Sequence, residues 1–373
     1  MAESNQYKVV ISGGGTGGHI YPAIAIANAL KELMPGTQIL FVGAQGRMEM
    51  EKVPAAGYKI EGLWISGIQR RLTFDNILFP VKVLSSYRRA KRIIREFKPD
   101  IAIGVGGYAS FPLLFAASRM GVPTLIQEQN GYAGVANKFL ASKAEKICVA
   151  YEGMEKFFPI GKLVLTGNPV RKDIVSVDAK KQQAYERFGL DPGKKTLLVI
   201  GGSLGARTIN ESIDQGLEKL EKEEIQILWQ TGKWYINQAE KRVEDFKNVK
   251  VFDFIYEMDL AYAAADMVIS RAGALSISEL SLVGKPVILV PSPNVAEDHQ
   301  TKNAMALVQK DAALLIKDET AREHLVEAAI NLFIDSVLQE RLGKNIQTLG
   351  RPDAAMEIAG LVSETIETAK SKK

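Results

Sequence analysis

The chain has 373 residues, 46% of them hydrophobic and 24% charged, with a formal net charge of +4 and one cysteine. That is the composition of an ordinary soluble globular protein, and the length suggests two domains. Cys148 alone excludes an internal disulfide and a cysteine cluster for zinc; no apolar run approaches roughly 18 residues, and with no signal-like N-terminus a cytoplasmic location is expected.

In chain order, a short apolar strand at Tyr7 to Ile11 runs into a glycine-rich turn, SerGlyGlyGlyThrGlyGlyHis, at Ser12 to His19. A helix is expected from Pro22, where Ala, Ile and Leu recur at helical spacing. Strands are expected at 39–42, 101–105, 124–127 and 146–150, with further helices from Leu78, Phe111 and Ala133. The segment Thr166 to Pro169 interrupts the pattern with Gly and Pro and marks the domain joint. The second half then repeats the first: a strand at Thr196 to Ile200, a second turn, GlyGlySerLeuGlyAlaArg, at Gly201 to Arg207, and strands at 225–230, 249–252, 267–270, 286–290 and 313–316. Such alternation predicts an α/β protein with parallel sheets covered on both faces by helices. The expected architecture is two Rossmann-like domains facing across a cleft, with ligands at the carboxyl ends of the strands.

Glycines in such turns let backbone amides approach a ligand, and the helix that follows adds unpaired N–H groups and a positive dipole end. Both turns are therefore candidates for phosphate. Gly13-x-Gly15-x-x-Gly18 also matches a dinucleotide fingerprint, but the second strand ends in Gly43, Ala44 and Gln45 where a ribose-binding acid would stand. The nicotinamide reading loses its support. His19 opens the helix after the first turn, where the dipole holds an imidazole near neutral, ready to accept a proton; the alternative is a satisfied structural histidine.

Residues 1–165 carry 20 Lys and Arg against 12 Asp and Glu, a surplus of 8, which leaves the remainder at 4 negative. The excess lies between Arg70 and Lys98, among them Arg71, Lys82, Arg88, Arg89, Lys91, Arg92 and Arg95, interleaved with Leu72, Phe74, Ile77 and Val81. This suits either an anionic membrane surface or the solvated basic face of an amphipathic helix over Ser85 to Phe97. Few stacking aromatics accompany it, so nucleic acid is not an expected partner.

The motifs Gly13 to His19, GlyValGlyGlyTyr (Gly104 to Tyr108), GluGlnAsn (Glu128 to Asn130), GlyAsnProValArg (Gly167 to Arg171), Gly201 to Arg207, ArgAlaGlyAlaLeuSerIleSerGlu (Arg271 to Glu279) and HisGlnThrLysAsnAla (His299 to Ala304) occur in this order. Together they resemble the MurG family of GT-B glycosyltransferases over nearly the whole chain. The resemblance implies an acceptor and membrane-facing domain over 1–167, a UDP-GlcNAc-binding domain over 168–351, and a last helix within 352–373 that packs back on the first domain. It implies a peripheral enzyme of peptidoglycan synthesis at the cytoplasmic face of the plasma membrane, working without a cofactor. The implied reaction moves GlcNAc from UDP-GlcNAc to lipid I, undecaprenyl-diphospho-MurNAc-pentapeptide, and gives lipid II.

No Asp-x-Asp element is present to hold a divalent cation, so helix dipoles and donors must offset the charge on leaving UDP. Ser203 with its neighbouring amides fits a phosphate contact, and Arg171 resembles the family residue that meets the nucleotide. Glu279, near the start of a helix opened by Gly273 to Ser276, can accept both hydroxyls of a ribose or can simply complement the helix dipole. The resemblance assigns it to the ribose, the Ile255 backbone to the uracil edge, Gln300 to the GlcNAc hydroxyls, and further substrate contacts to Thr16, Gly17, Gly18, Ala274, Leu275 and Ser276. His299 stands where some relatives carry a second glutamine; where the family commonly continues GlyGlyTyr with a small residue and glycine before proline, this chain has Ala109, Ser110, Phe111 and Pro112, a departure at Phe111 expected to alter the acceptor mouth. His19 is the leading candidate for the base, with Glu128 and Tyr108 as acceptor-positioning or backup groups and Asn130 holding the donor sugar. Glu128 reads equally as a buried carboxylate ordering its loop, and Tyr108 as a wall residue. Two rivals remain: a sugar-nucleotide epimerase on a similar fold, and a non-catalytic membrane scaffold.

Overall fold

The computed structural model describes residues 6–67, 78–171, 174, 177–202, 204–295 and 298–372. The chain divides into two compact units, Met1–Val170 with Pro352–Lys373, and Arg171–Arg351. Among the described residues no helix is long and apolar enough to cross a membrane.

The first unit is built on seven parallel strands: β1 (Lys8–Gly13), β2 (Gln38–Ala44), β3 (Lys59–Leu63), β4 (Ile101–Gly106), β5 (Thr124–Glu128), β6 (Lys146–Val149) and β7 (Leu163–Leu165). Their order is β3-β2-β1-β4-β5-β6-β7. The central strands β1, β2 and β4 are largely apolar because both their faces are covered. Val9 and Ile11 point to a layer made by the helices Gly17–Leu33 and Ala354–Ser371, through Ile26, Leu30, Ile358 and Val362. Val10, one residue between them, points the other way, to Ile93, Ile94 and Leu113 on the helices Phe79–Phe97 and Ser110–Arg119. This alternation fixes the register.

The second unit has six parallel strands: β8 (Thr196–Ile200), β9 (Gln226–Gln230), β10 (Val249–Phe252), β11 (Met267–Ser270), β12 (Val287–Leu289) and β13 (Leu314–Leu315). They lie in the order β10-β9-β8-β11-β12-β13. Leu197, Val199 and Trp229 face the helices Arg207–Lys222 and Ala321–Ile334, while Leu198, Ile200 and Leu228 face the opposite layer. Trp229 is fully buried, and its indole N–H donates to Asn210 Oδ1 at 3.0 Å.

In each sheet the strand order reverses once, between β1 and β4 and between β8 and β11. Loops on either side of such a switch point diverge and leave a crevice at the carboxyl ends of the strands. The two glycine-rich turns follow β1 and β8, so each occupies its sheet's switch point.

Two sequence expectations need correction. The first helix begins at Gly17 rather than Pro22, and Pro22 lies inside it. The rule that places proline in the opening turn misled because the glycines before it are themselves helical. Strands β3 and β7 were not expected; each is an edge strand with a single neighbour, short, and half-covered. The helix expected from Leu78 spans Phe79–Phe97 and includes the whole amphipathic stretch expected over Ser85 to Phe97.

Candidate active site

In the first unit, β1 delivers the chain to the switch point and the helix Gly17–Leu33 leaves from it, with Thr16 as its N-cap. Gly14 donates its N–H to Gly106 O at 3.2 Å, which binds the first turn to the loop after β4. The approach is close: a Cβ on Gly107 would stand 2.3 Å from Gly14 O. Gly106 and Gly107 also have φ of 105° and 91°, a backbone that only glycine adopts readily.

His19 is the third residue of the helix, and its ring folds back over the turn. Nδ1 lies 3.0 Å from Gly14 O and 3.4 Å from Thr16 Oγ1. A carbonyl oxygen only accepts, so the bond to Gly14 places the proton on Nδ1 and leaves the lone pair of a neutral imidazole on Nε2. The ring edge bearing Nε2 rests on Gly106, where a Cβ would fall 2.4 Å from Cδ2 and 2.7 Å from Nε2. The N–H groups of Gly17 and Gly18 meet no acceptor among the described residues, as expected at a helix start.

Tyr108 stands against the same turn. The residue is 47% exposed. One edge is 3.8 Å from the Cβ position of Gly15, and the other packs so closely on Gly67 that a Cβ there would meet the ring at 2.3 Å. Phe111 does not join it at a mouth: it is half-buried, stacks on Phe115 with centroids 5.7 Å apart, and packs in the apolar layer beneath the helix Ser110–Arg119.

Glu128 ends β5 and is buried. Its Oε1 accepts from Asn130 N at 3.1 Å and Asn130 Nδ2 at 3.3 Å, while Oε2 accepts from Gly134 N and Asn137 Nδ2, each at 2.9 Å. Both oxygens are thus committed to ordering residues 129–137. Beneath them Gln127, Gln129 and Asn168 form a buried amide network, in which Gln127 Nε2 donates to Asn168 Oδ1 at 2.9 Å and Asn168 Nδ2 to Gln129 O at 3.0 Å.

In the second unit the turn after β8 nests into the loop after β9. A Cβ on Gly205 would stand 2.0 Å from Thr231 O, and one on Gly232 2.3 Å from Leu204 O. Ser203 lies outside the described residues. After β11 the helix Ala274–Val283 opens with Gly273 as its N-cap, and the N–H groups of Ala274, Leu275 and Ser276 have no acceptor among the described residues. Glu279 sits on that helix, 18% exposed at its side chain, with Arg171 Nε 3.9 Å from Oε1. Tyr262, fully buried on the helix Met258–Ala264, donates its hydroxyl to Glu279 Oε2 at 3.1 Å. Burial, and then the Glu279 charge, push the Tyr262 phenol well above its ordinary value, so it stays a donor.

Ile255 donates its N–H to Gln230 Oε1 at 2.9 Å, and Gln230 Nε2 donates to Gly202 O at 3.1 Å. One glutamine thereby joins the Ile255 backbone to the second glycine turn, and the Ile255 carbonyl has no partner among the described residues. Gln300 lies in the first turn of the helix His299–Val308; its Oε1 accepts from Ser292 N at 2.9 Å, which orients the amide nitrogen for donation. His299, the first helical residue, is half-buried. Arg271 pairs with Asp318 and donates to Val290 O at 3.0 Å, tying the loops after β11 and β12 together.

Two participants escaped the sequence. Tyr262 sits in AlaTyrAlaAla, a stretch indistinguishable from core, and Glu49 reads only as an acid at a helix start. Their partners are 17 and 34 residues away, respectively, and no spacing rule links them.

The basic helix has a divided surface. Lys82 is buried and donates to Ser66 Oγ at 3.1 Å, so it does not belong to an open basic face, whereas Arg89 is exposed and pairs with Glu61 at 2.7 Å. Val81, Leu84, Arg88, Arg92 and Arg95 are exposed and recur at helical spacing along one stripe. Arg70, Arg71 and Leu72 to Ile77 lie outside the described residues.

Two parallel-sheet α/β units, each with a glycine turn at its switch point, are the architecture of the GT-B fold. The chain belongs to glycosyltransferase family 28, whose N-terminal domain matches residues 9–149 and whose C-terminal domain matches residues 196–358. It is 62% identical over 368 residues, 99% of each chain, to a protein of Cytophaga hutchinsonii named UDP-N-acetylglucosamine--N-acetylmuramyl-(pentapeptide) pyrophosphoryl-undecaprenol N-acetylglucosamine transferase. A protein of Parabacteroides distasonis with the same name is 57% identical, over 97% of this chain and 99% of its own. Among solved structures, Acinetobacter baumannii MurG superposes with a TM-score of 0.78 at 27% identity, covering 96% of this chain and 99% of that one.

Proposed function

We propose that the protein is an inverting N-acetylglucosaminyltransferase that moves GlcNAc from UDP-GlcNAc to the 4-hydroxyl of MurNAc in lipid I, forming lipid II. The observation that carries the chemistry is the hydrogen bond from His19 Nδ1 to Gly14 O, because it prepares Nε2 as a base. The hydroxyl oxygen attacks the anomeric carbon from the face opposite UDP, its proton passes to Nε2, and the bond to the diphosphate oxygen breaks with its electron pair leaving on UDP. The acceptor belongs to residues 1–167 with 352–373, and the donor to 168–351. Near-complete matches to relatives bearing the transferase name support this reading.

On the donor side, the amides of Ala274, Leu275 and Ser276, with Ser203, offset the diphosphate charge. Glu279 accepts from the ribose hydroxyls, Arg171 steadies the nucleotide, the Ile255 backbone meets the uracil edge, and Gln300 donates to the sugar. On the acceptor side Thr16, Gly17 and Gly18 present the helix start, and Tyr108 forms a wall. Glu128 holds Asn130 in place rather than competing with His19, since both its oxygens already serve its loop.

The exposed stripe from Val81 to Arg95 brings the enzyme, as a peripheral protein, to the anionic cytoplasmic face of the plasma membrane, where a lipid-borne acceptor resides. Incubation with radiolabelled UDP-GlcNAc and a lipid I analogue tests the whole proposal, with UDP-GalNAc as control. Label in the lipid only when acceptor is present supports transfer. Conversion of UDP-GlcNAc to an epimer without acceptor would replace it with the epimerase reading.

A further inference from the structure

The anion place of the first glycine turn is already filled, by the protein itself. Glu49 is fully buried. Its Oε1 accepts from Ala44 N and its Oε2 from Gly15 N, each at 2.9 Å. The carboxylate passes between two glycines: a Cβ on Gly14 would stand 2.3 Å from Oε1, and one on Gly43 2.5 Å from Cγ. These glycines are bare because Glu49 runs over them. Gly14 and Gly15 thus spend their amides internally, on Gly106 O and on Glu49. A phosphate has no claim on that part of the turn.

The N–H of Gly15 and the C=O of Gly14 are the two ends of one peptide group. Glu49 Oε2 holds the N–H end at 2.9 Å, and His19 Nδ1 holds the C=O end at 3.0 Å. Hydrogen bonds at opposite ends of a peptide polarise it in the same sense, so a carboxylate at the N–H makes the carbonyl a stronger acceptor. A carbonyl strengthened in this way holds Nδ1–H more firmly and favours a positive imidazole. We propose that Glu49 is a positioning residue for His19, coupled to it through the Gly14–Gly15 peptide: a carboxylate–peptide–imidazole relay that sets the ring's tautomer and raises the basicity of Nε2. The proposal rests on His19 as the base of the transfer. At the same turn Thr16 Oγ1 lies 3.4 Å from Nδ1, Tyr108 packs against Gly15, and Ser110 Oγ donates to Ser12 O and Gly106 O at 3.0 and 2.9 Å.

The test compares the full-length native enzyme with Glu49→Gln and Glu49→Asp, with Tyr108→Phe as a control for the neighbouring phenol. Nitrogen-15 NMR of the His19 ring reads the tautomer and its titration directly, without turnover. The native ring should carry its proton on Nδ1; a ring protonated at Nε2 would overturn the proposal in the native protein, whatever the variants do. In Glu49→Gln one of the two amides faces an NH2 instead of an oxygen. The expected results are a mixed tautomer, a His19 titration moved to lower pH, a kcat about 10- to 100-fold lower with KM for UDP-GlcNAc unchanged, and the acid limb of the rate profile moved the same way. Glu49→Asp, which keeps the charge, should recover part of the titration shift. If Glu49→Gln does not fold, Glu49→Asp carries the comparison through the same ring signals. An unchanged His19 tautomer and titration in a folded Glu49 variant would refute the coupling. Full turnover in His19→Ala, with the ring titration still moved by Glu49→Gln, would instead remove the base assignment and leave the coupling standing.

Discussion

His19 and Gly106 are in direct contact: the imidazole edge lies on the glycine Cα, so that a Cβ there would fall 2.4 Å from Cδ2. The last residue of β4 therefore sets where the ring after β1 can stand. Gly106 has φ of 105°, which a side chain would strain in addition. Gly106→Ala should lower kcat by at least about tenfold, since small misplacement of a base is costly. UDP-GlcNAc affinity, measured by calorimetry, should stay within about twofold of native, because the proposal assigns the nucleotide to residues 168–351. A kcat equal to the native value would show that the ring does not depend on this contact.

Glu279 depends on Tyr262 in the same way. The phenol is buried and donates to Oε2 at 3.1 Å, and Arg171 approaches the other oxygen. Tyr262→Phe removes a hydrogen bond to a charged group, about 1.5 kcal/mol or more. The expected result is a KM for UDP-GlcNAc raised about tenfold with kcat little changed. Steady-state kinetics over donor concentration decide it, and a fall in kcat alone would contradict the ribose role of Glu279.

The exposed stripe predicts salt-sensitive membrane binding. Replacing Arg88, Arg92 and Arg95 with Glu reverses three charges on it, each worth about 1 kcal/mol near an anionic surface. Cosedimentation with phosphatidylglycerol vesicles should be lost at low salt, while transfer to a water-soluble acceptor analogue persists. Binding that survives the triple change would place the membrane contact elsewhere.

Alkali should destabilise the protein from about pH 9. Cys148 is buried, and desolvation pushes its thiol from an ordinary value of 9.0 up to about 12. Above 9.0 the unfolded chain releases this proton and the folded one keeps it, so stability falls as pH rises toward 12, by about 1.4 kcal/mol per pH unit for this group. The buried phenols of Tyr151 and Tyr262 are raised as well and steepen the fall above pH 10. Urea midpoints measured from pH 8 to 11 check this, and Cys148→Ser should flatten the portion that begins near pH 9. A curve indifferent to that substitution would contradict the assignment.

Much of this was legible in the sequence. The alternation of apolar runs with helical spacing identifies the central strands, because strands buried on both faces are continuous apolar runs. The edge strands β3 and β7 were invisible, since Lys59 and Glu61 break the run in one and the other has three residues. His19 could be singled out from its place after a glycine turn, but not the bond to Gly14 that fixes its tautomer. The turn itself reads as an anion cradle, and so it is; the sequence gives no sign that the anion is Glu49. Long-range pairings of this kind, like Tyr262 with Glu279, appear only when the sheet brings distant loops to one edge.

The base assignment is tested most directly by His19→Ala, with turnover of UDP-GlcNAc onto a lipid I analogue and donor affinity measured on the same preparation. Removing a general base should reduce turnover by about 10² to 10⁴ and leave the dissociation constant for UDP-GlcNAc within about twofold of native. Native turnover in His19→Ala would contradict the account.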